Sequence, residues 1–513
     1  MTKFFKNLYV LDIANNHFGD LKHGLNIINQ FSKIVKKENI KATFKFQFRD
    51  LDTFIHKSEL NNKSNHYVKR FLDTRLSEQS FKKLLSQIKK NKILASCTPF
   101  DEKSVSIIEK LKFDIIKIAS VSANDFSLLS RVSKNNIPKI ISTGGLGLDE
   151  IDKIVSFMSH RGQIFSIMHC VAIYPTQNKD MNLNFIDTLR KRYKNIVIGW
   201  STHEDPDAYL PGVLAYSKGA RMFEKHVGIS SNKYKLNNYS VTPNNFQIYL
   251  KKMKVAQNIL GNDIKNKNLH EETTLKKLDR GVYVKKNVKK GDKLDYKNIY
   301  FAFPLKPRQL SVTEFTNRFS SEYNKDIYFK NNIDNDGYVK KTDIVSEKFD
   351  SKKYVLKKSI HKLKAMLNEN KIELGSNFDL EVSHHYGINK FEKYGCFLFN
   401  IINKQYCKKV LVMFPNQKHP LHFHKRKEET FHILSGELIS TLDKKKHKLL
   451  PGDLLDVKPG TWHEFYAGNN GCIFEEISST SYKNDSFYQD QKIQSLKREQ
   501  RKTTLKSWGR FEI

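Results

Sequence analysis

Eight short apolar runs alternate with amphipathic segments of helical period through the first half of the chain, and this repeat constrains the fold more than any other feature. The runs span 8–14, 42–48, 93–99, 115–120, 139–145, 165–170, 196–202 and 221–227. Helical periodicity is clear at 101–112, 148–158 and 246–260. Eight strands alternating with helices within roughly 250 residues predict an α/β fold of the (β/α)₈ (TIM) barrel type. The alternative is an open doubly wound sheet, which would not require eight strands.

Polar side chains stand at the end of one predicted strand after another. They are Lys45, Gln47, Thr98, Lys117, Ser120, Ser142, Thr143, His169, Ser201, His203 and His226. Burying an unpaired charge is costly, so lysine and histidine are unusual at the ends of core strands. Agreement among seven strand ends predicts one active site at the carboxyl-terminal mouth of the barrel.

Two lysines and a glycine-rich turn indicate that this site binds phosphate. Lys45 and Lys117 end different strands, and the turn at 142–147 (STGGLG) offers backbone N–H groups just before a helix. Cations, hydroxyls and a helix N-terminus together bind phosphate. Alone, the turn would indicate only an ordinary strand-to-helix connection.

His203 and His226 end the seventh and eighth predicted strands. Neighbouring strand ends can bring two imidazoles onto one divalent ion and leave positions open for water and substrate. Such a site suits a catalytic Mn²⁺, Mg²⁺ or Zn²⁺ ion that polarises a carbonyl group. The alternative is a pair of hydrogen-bonded core histidines.

Several of these stretches together resemble the N-acetylneuraminate (sialic acid) synthase family over about 10–260. They are NNHFGD (15–20), KFQF (45–48), CTPFD (97–101), IKIAS (116–120), ISTGG (141–145), MHCVAIYPT (168–176), IGWSTHE (198–204) and FEKHV (223–227). The segment that follows, including 280–305, resembles the antifreeze-like (SAF) domain of these enzymes, and 311–320 is expected to be helical. Within that segment, the KKGD turn around Gly291 is expected to join two strands.

The resemblance implies that phosphoenolpyruvate condenses with the open-chain aldehyde of a 2-acetamido sugar to give a nine-carbon 2-keto acid and phosphate. It implies a catalytic set of Asp12, Lys117 and Tyr174, with Tyr174 contacting the sugar. The residues implied to bind substrate are Lys45, Gln47, Thr98, Lys117, Ser120, Ser142, Tyr174 and Ser201. It also implies that His203 and His226 hold the metal, for which Mn²⁺ or Mg²⁺ is expected.

Four positions depart from the family pattern. Asp12 replaces a longer glutamate, Ser122 replaces a carboxylate, and the loop 233–243 contains no carboxylate. The arginine that the SAF domain sends into the partner subunit's site corresponds best to Arg308, which implies a homodimer formed through this domain. Because these positions concern the sugar, a legionaminate- or pseudaminate-like product is as consistent with the sequence as sialic acid.

The last third of the chain contains a second candidate metal site. His422 and His424 stand two residues apart, so they share one face of a strand, and Glu429 and His463 can complete the set. Three imidazoles and one carboxylate suit Mn²⁺, Fe²⁺, Ni²⁺ or Zn²⁺. Many short strands with regular turns predict a small β-barrel or sandwich, and the motif resembles the cupin signature.

The function of this cupin is left open between three interpretations. The stretch 472–490 resembles cupin sugar isomerases, in which Glu475 or Glu476 would move protons. The cupin could instead only bind a sugar or stabilise the chain. For the whole protein, the alternatives to a synthase are a cupin sugar isomerase or epimerase with a degenerate barrel, and a non-catalytic sugar-binding protein.

Length and composition set the remaining expectations. For 513 residues we expect a barrel at 1–262, an SAF domain at 278–340, a cupin at 350–490 with a basic helix before its strands, and a loosely held charged tail at 491–513, with polar linker sequence at 261–277. The net charge of +35 comes from lysines spread along the chain, so no nucleic-acid partner is expected. No apolar run is long enough to span a bilayer, no secretory signal is recognised, and the five cysteines form no CxxC pair, so a cytoplasmic location is expected.

Overall fold

The computed structural model describes residues 2–60, 64–318, 327–346, 350–375, 377–506 and 508. The chain divides into two compact units, Met1–Lys265 and Asn266–Ile513. Within the described residues, no helix combines the length and the apolar character needed to cross a membrane.

The first unit is a closed barrel of eight parallel strands in sequential order, which confirms the predicted fold class. The strands are β1 (Leu8–Asp12), β2 (Lys41–Phe48), β3 (Leu94–Pro99), β4 (Ile115–Ile118), β5 (Lys139–Ser142), β6 (Phe165–Cys170), β7 (Ile198–Ser201) and β8 (Met222–His226). In the register of the barrel, Asp12 lies beside Lys45 on one side and His226 on the other. The three residues therefore stand at the same height at the mouth.

Helices connect the strands on the outside of the barrel. They are α1 (Leu21–Glu38), α2 (Leu51–Phe54), α3 (His66–Asp73), α4 (Glu78–Lys90), α5 (Glu102–Leu111), α6 (Phe126–Val132), α7 (Leu148–His160), α8 (Phe185–Arg192), α9 (Leu210–Ser217) and α10 (Pro243–Leu260). Side-chain caps set several starts: Asp101 accepts a hydrogen bond from the Ser104 N–H at α5, and Thr242 accepts one from the Asn245 N–H at α10. The last helix therefore begins three residues before the expected start at 246.

Alternation along the strands separates the core from the site. On β1, Leu8 and Val10 point into the barrel and pack in an apolar cluster that includes Met222 of β8. Two residues further along each strand on the same face come Asp12 and Glu224. The apolar layer thus fills the lower interior and supports a polar layer at the mouth.

The second unit begins with a helix and a small β-rich module. Helix α11 (Leu269–Lys277) occupies the stretch expected to be a linker, and α12 (Val312–Arg318) matches the predicted helix, whose last two positions lie outside the described residues. The strands are β9 (Gly281–Val284), β10 (Ile299–Ala302), β11 (Ile327–Phe329) and β12 (Ile344–Ser346). The connection that contains the KKGD turn joins β9 to its antiparallel partner β10, as expected. Val288 and Lys293, which flank the turn, bridge to Ile333 and Tyr328 and not to each other.

The remainder of the second unit is built from antiparallel strands, as predicted for a small β-barrel or sandwich, and is preceded by helix α13 (Ser351–Glu369). Its strands are β13 (Asp379–Ser383), β14 (Cys396–Asn403), β15 (Tyr406–Met413), β16 (Lys418–His424), β17 (Glu429–Leu442), β18 (Lys445–Leu449), β19 (Leu454–Val457), β20 (His463–Ser479), β21 (Ser486–Tyr488) and β22 (Lys502–Leu505). The main path of the sheet runs β18-β17-β20-β15-β14-β13-β22, and β16 pairs with β20 and β21.

The expectation of a loosely held tail after residue 490 is wrong for the described residues. Two short helices, α14 (Gln491–Gln494) and α15 (Arg498–Arg501), lead into β22, which pairs with β13. Leu505 and Trp508 are buried against the cupin core. The segment was expected to be loosely held because it is highly charged, but its few apolar residues are enough to anchor it to the core.

Candidate active site and metal centre

Two buried lysines and two buried carboxylates form one connected network at the barrel mouth. The Lys45 Nζ lies 2.9 Å from Asp12 Oδ2 and 3.1 Å from Glu224 Oε1. The Lys117 Nζ lies 3.1 Å from Glu224 Oε2 and donates to Ser142 Oγ at 2.6 Å. Glu224 therefore bridges the two lysines that the sequence assigns to phosphate binding.

The network sets the charge of its members. Burial alone would raise the pKa of Glu224, but Lys117 and Lys45 outweigh it and hold that pKa well below its ordinary value. Burial would lower the pKa of Lys45, but Asp12 and Glu224 together raise it above the ordinary value. For Lys117 burial dominates, and its pKa is lowered even though Glu224 opposes this. The two carboxylates thus offset the charge of the two lysines.

Hydroxyl groups and the glycine turn surround this network. The Ser201 hydroxyl donates to Glu224 Oε1 at 3.1 Å, and the Ser120 Oγ accepts from the Gly144 N–H at 2.9 Å. A Cβ on Gly144 would lie 2.7 Å from the Ser120 Oγ, so the close approach of the turn requires glycine. The buried Thr98 Oγ1 has no hydrogen-bond partner in the described residues, which leaves it available to a ligand.

His203 and His226 meet at the rim as predicted from the strand order. Their ring centroids are 5.1 Å apart, and His226 Nε2 lies 3.4 Å from Asp12 Oδ2. The His203 Nδ1 lies 3.2 Å from the Val171 carbonyl, which directs its Nε2 away from the backbone. Burial and the neighbouring His226 lower the pKa of His203 to about 3. Two neutral imidazoles beside a carboxylate fit the donor chemistry of a divalent ion.

Aromatic rings cover the histidine pair. The Tyr174 ring centroid lies 3.9 Å from that of His203. Tyr239, from the loop 233–243, has its ring 5.1 Å from His226 and 5.4 Å from His203. The loop that lacks a carboxylate therefore supplies an aromatic ring to the mouth.

One cavity of about 670 Å³ holds most of the polar residues predicted at the strand ends. Its lining includes Asp12, Lys45, Gln47, Thr98, Lys117, Ser120, Ser142, Tyr174, Ser201, His203 and His226. Thr143 and His169 are the exceptions: both are buried and contact backbone carbonyls, of Met168 and Met181, away from the lining. Arg308 belongs to the second unit, where it is exposed on a turn with φ +62°.

Among the charged residues of this cavity, sequence reasoning missed Glu224, Arg49 and Arg70. For Glu224 a signal existed, since period-two alternation in FEKHV places it on the same face as His226. Arg49 lies just beyond the end of β2, in the same period-two series as Lys45 and Gln47. Arg70 comes from helix α3, and its place at the mouth depends on how the long β2–β3 connection folds.

In the cupin, His422, His424 and His463 converge so that their ligand atoms lie within 4.8 Å of one another. Each Nδ1 faces a backbone carbonyl, at 2.9 Å from Pro420 O for His422, 2.6 Å from Asp485 O for His424 and 3.0 Å from Thr461 O for His463. A carbonyl only accepts, so each Nδ1 carries the proton and each Nε2 presents a lone pair to the centre. This is how second-shell contacts orient histidine ligands of metals.

Glu429, the fourth residue predicted for this set, lies beside the three histidines and also contacts the buried Lys427. Its Oε1 lies 3.4 Å from His424 Nε2, and its Oε2 lies 3.3 Å from His463 Nε2. Burial lowers the pKa of His424 to about 4, so the imidazole is neutral near pH 7. Glu429 Oε2 and His463 Nε2 are buried without hydrogen-bond partners in the described residues. These orphaned atoms fit a bound divalent cation.

A cavity of about 230 Å³ adjoins this centre. Glu476 lines it and accepts from Lys409 at 2.7 Å and Lys427 at 2.9 Å. Glu475 points to the other side of the strand, where its carboxylate lies 2.7 Å from Lys408 Nζ. Of the two glutamates considered from the sequence, Glu476 is the one that faces the candidate site.

Comparisons with known proteins agree with this division. Residues 36–265 match the NeuB family, and residues 410–472 match the cupin domain. An uncharacterized protein of Methanocaldococcus jannaschii is 31% identical over 291 residues, which are 56% of this chain and 82% of that protein. The N-acetylneuraminate-9-phosphate synthase of Drosophila melanogaster is 29% identical over 237 residues, which are 45% of this chain and 63% of that enzyme.

A solved structure also matches the chain. It is a candidate spore coat polysaccharide biosynthesis protein E from Chromobacterium violaceum, with 40% sequence identity and a TM-score of 0.63. The match covers 66% of this chain and 100% of the matched chain.

Proposed function

This chain belongs to the NeuB family, and on that premise we propose that its barrel is a nonulosonic acid synthase. It condenses phosphoenolpyruvate with the open-chain aldehyde of an N-acylated amino sugar and releases phosphate. The observation that carries the proposal is the convergence of Lys45, Lys117 and the unpartnered Thr98 hydroxyl with His203 and His226 in one cavity.

The inner layer of the cavity binds phosphoenolpyruvate. Lys45 and Lys117 attract its phosphate and carboxylate, and the serine hydroxyls and the Gly144 turn supply further hydrogen bonds. Because Asp12 and Glu224 already engage the lysines, their ammonium groups are fixed in position before the substrate arrives. This preorganisation favours stabilisation of the charge that develops on the leaving phosphate.

The rim binds the sugar. His203 and His226, with Asp12 nearby, hold a divalent ion such as Mn²⁺ or Mg²⁺, and when bound this ion supplies Lewis-acid polarisation of the aldehyde oxygen. Tyr174 and Gln47 contact the sugar from the lining of the same cavity.

The test uses the purified 513-residue chain with Mn²⁺, phosphoenolpyruvate and a panel of 2-acetamido sugars in free and phosphorylated forms. We expect phosphate release together with a product whose mass equals one sugar plus one pyruvate. Lys117→Ala should abolish this turnover and His424→Ala should leave it in place, because His424 belongs to the cupin. The proposal fails if the wild type is inactive across the panel.

The same pair of variants separates the main alternative. A cupin isomerase with a degenerate barrel would interconvert sugars without phosphoenolpyruvate. It would lose activity in His424→Ala and keep it in Lys117→Ala.

For the cupin we propose a metal-dependent sugar site held by His422, His424, His463 and Glu429. The buried Glu476 beside the cavity favours this over a purely structural role. Its metal would be Mn²⁺, Zn²⁺, Fe²⁺ or Ni²⁺. The metal content of the isolated protein and sugar binding before and after chelation test this role.

We also propose that the protein is a homodimer in which Arg308 reaches the partner's site, as the family resemblance implies. The exposure of Arg308 on its turn supports this. Sedimentation of the purified chain, together with the sugar KM of Arg308→Gln, tests it. We propose likewise that the protein acts in the cytoplasm.

A further inference from the structure

The barrel cavity has an outer part whose charge differs from that of its inner part. Arg49, which follows β2, and Arg70 on α3 both line it, together with His66. The two guanidinium groups lie in the same cavity as the proposed substrate residues, but they are not members of the lysine–carboxylate network.

Arg49 is held rigidly in place. Its guanidinium carbon lies 3.6 Å from the centroid of the Phe100 ring and 4.0 Å from that of Phe71. Its Nη1 donates to the Gln47 amide oxygen at 3.2 Å, and its Nε is buried without a partner in the described residues. A guanidinium fixed by aromatic faces and left with unused donors is prepared to bind an anion.

No carboxylate neutralises this pair of arginines. Within the described part of the chain, neither guanidinium has an acidic oxygen within 4.0 Å, whereas the inner lysines each contact at least one. Asp101 acts on Arg49 only at longer range, and its own oxygens accept hydrogen bonds from the Asp50 N–H and from Ser104. Burial, and then the nearby Arg70, lower the pKa of Arg49 to about 10. Two adjacent like charges without an anion repel each other until a ligand supplies one.

The order of residues along β2 indicates which part of a substrate would reach Arg49 and Arg70. Lys45, Gln47 and Arg49 follow one another at intervals of two, so they rise along the same face toward the solvent. Four residues of extended chain advance about 13 Å. If Lys45 binds phosphoenolpyruvate and Gln47 contacts the sugar, Arg49 lies at the far end of the sugar.

We propose that Arg49 and Arg70 form a subsite for a phosphate ester on the end of the acceptor sugar distal to its aldehyde. The acceptor is then a phosphorylated N-acylamino sugar. This inference rests on the proposed synthase function and specifies its substrate class. Arginine pairs bind phosphate oxygens through bidentate, charge-assisted hydrogen bonds, which suits two guanidiniums that share one anion.

The experiment compares three probes on the Mn²⁺-loaded chain: 2-acetamido-2-deoxymannose, its 6-phosphate ester and inorganic phosphate. Calorimetry measures their binding, and consumption of phosphoenolpyruvate measures turnover. We expect the ester to bind at least roughly tenfold more tightly than the free sugar or inorganic phosphate. Arg49→Gln and Arg70→Gln should each weaken binding of the ester by about 10-fold to 100-fold. Neither should change the KM for phosphoenolpyruvate.

Arg75→Gln is the matched control. Arg75 lies near α3 in sequence, but its exposed guanidinium already pairs with Asp52 at 3.1 Å and it does not line the cavity. Arg49→Gln removes a guanidinium that packs on two aromatic rings, so this variant can disturb the local packing. Arg70 is exposed on its helix, so Arg70→Gln should fold and keeps the inference testable.

The outcomes distinguish the subsite from the reaction. The inference is overturned if the ester fails to bind, if it binds no better than inorganic phosphate or the free sugar, or if both arginine variants bind it like the wild type. Consumption of phosphoenolpyruvate with the free sugar alone also overturns the inference and leaves the synthase function intact. Arginine-dependent binding of the ester without consumption of phosphoenolpyruvate supports the subsite and counts against the synthase reaction.

Discussion

At the scale of single residues, Glu224 balances the charge of the barrel mouth. It contacts Lys45, Lys117 and Ser201 with its two oxygens. Glu224→Gln leaves two buried ammonium groups with only Asp12 as a carboxylate partner, and removing one partner of a buried ion pair costs about 3–5 kcal/mol. We expect the free energy of unfolding to fall by that order in denaturant titrations.

The same variant should respond more strongly to its substrate. In Glu224→Gln the two lysines have lost a carboxylate partner, and bound phosphoenolpyruvate supplies negative charge in its place. It should therefore raise the Tm of Glu224→Gln more than that of the wild type. Glu109→Gln is the control, because its partly exposed pair with Arg131 contributes only about 0–1 kcal/mol. Equal stability and equal ligand shifts in the wild type and Glu224→Gln would show that the network carries no such charge balance.

Lys139, at the start of β5, predicts a pH dependence. Its Nζ donates to Asn135 O and Gln163 Oε1, and burial lowers its pKa to about 8, against a small opposing effect of Glu109. Between about pH 8 and about pH 10 the unfolded chain keeps the proton that the folded chain has lost, so stability rises with pH. Lys139→Gln should remove this rise from the denaturant midpoint of the barrel. Lys153→Gln, exposed on α7, should retain it.

At the scale of elements, the terminal strand β22 determines whether the cupin sheet is complete. Beyond it, Trp508 packs its ring 4.8 Å from that of Phe399 and donates from Nε1 to the Gly375 carbonyl at 3.0 Å. Trp508→Ala should lower the stability of the cupin by about 3–5 kcal/mol. Thermal unfolding measures the loss, and the exposed Lys506→Ala should leave the transition in place. A tail without a structural role would give the same transition in both variants.

The elements also show what the sequence could predict. The barrel strands could be predicted because each combines a local apolar run with turn signals, and the mouth followed because βα strands end at one face. The KKGD turn lies between the paired strands β9 and β10 as expected, but local turn chemistry could not predict which distant segment pairs with its flanks, here Ile333 with Val288. For β22 the sequence signal was weak, since Leu505 is the one buried residue of a four-residue strand in a charged segment.

The residues of the candidate site could likewise be predicted where they stand at the ends of strands. His203, His226 and the lysines stand at strand ends, so strand order placed them correctly around one cavity. Arg70 could not be placed in that way, because it reaches the mouth from a helix within a long connection. Its contribution depends on tertiary packing of that connection.

At the scale of the whole molecule, the account places one divalent ion in each unit. Metal analysis of the isolated protein should find about two bound ions per chain. The double variant His422→Ala/His463→Ala should lose one ion and keep phosphoenolpyruvate turnover. His203→Ala/His226→Ala should lose the other ion and the turnover, and the exposed His160→Ala should lose neither. Loss of both ions, or of turnover, in the cupin variant would contradict separate sites.

The central claim is that the barrel mouth joins phosphoenolpyruvate to a sugar rather than merely hydrolysing it. The most direct measurement runs the reaction in water enriched in oxygen-18 and analyses the phosphate and the sugar product by mass spectrometry. In a condensation, water adds to the carbon of the enol and the carbon–oxygen bond breaks. The account therefore predicts unlabelled phosphate and a sugar enlarged by one pyruvate. Labelled phosphate with the sugar recovered unchanged would contradict it.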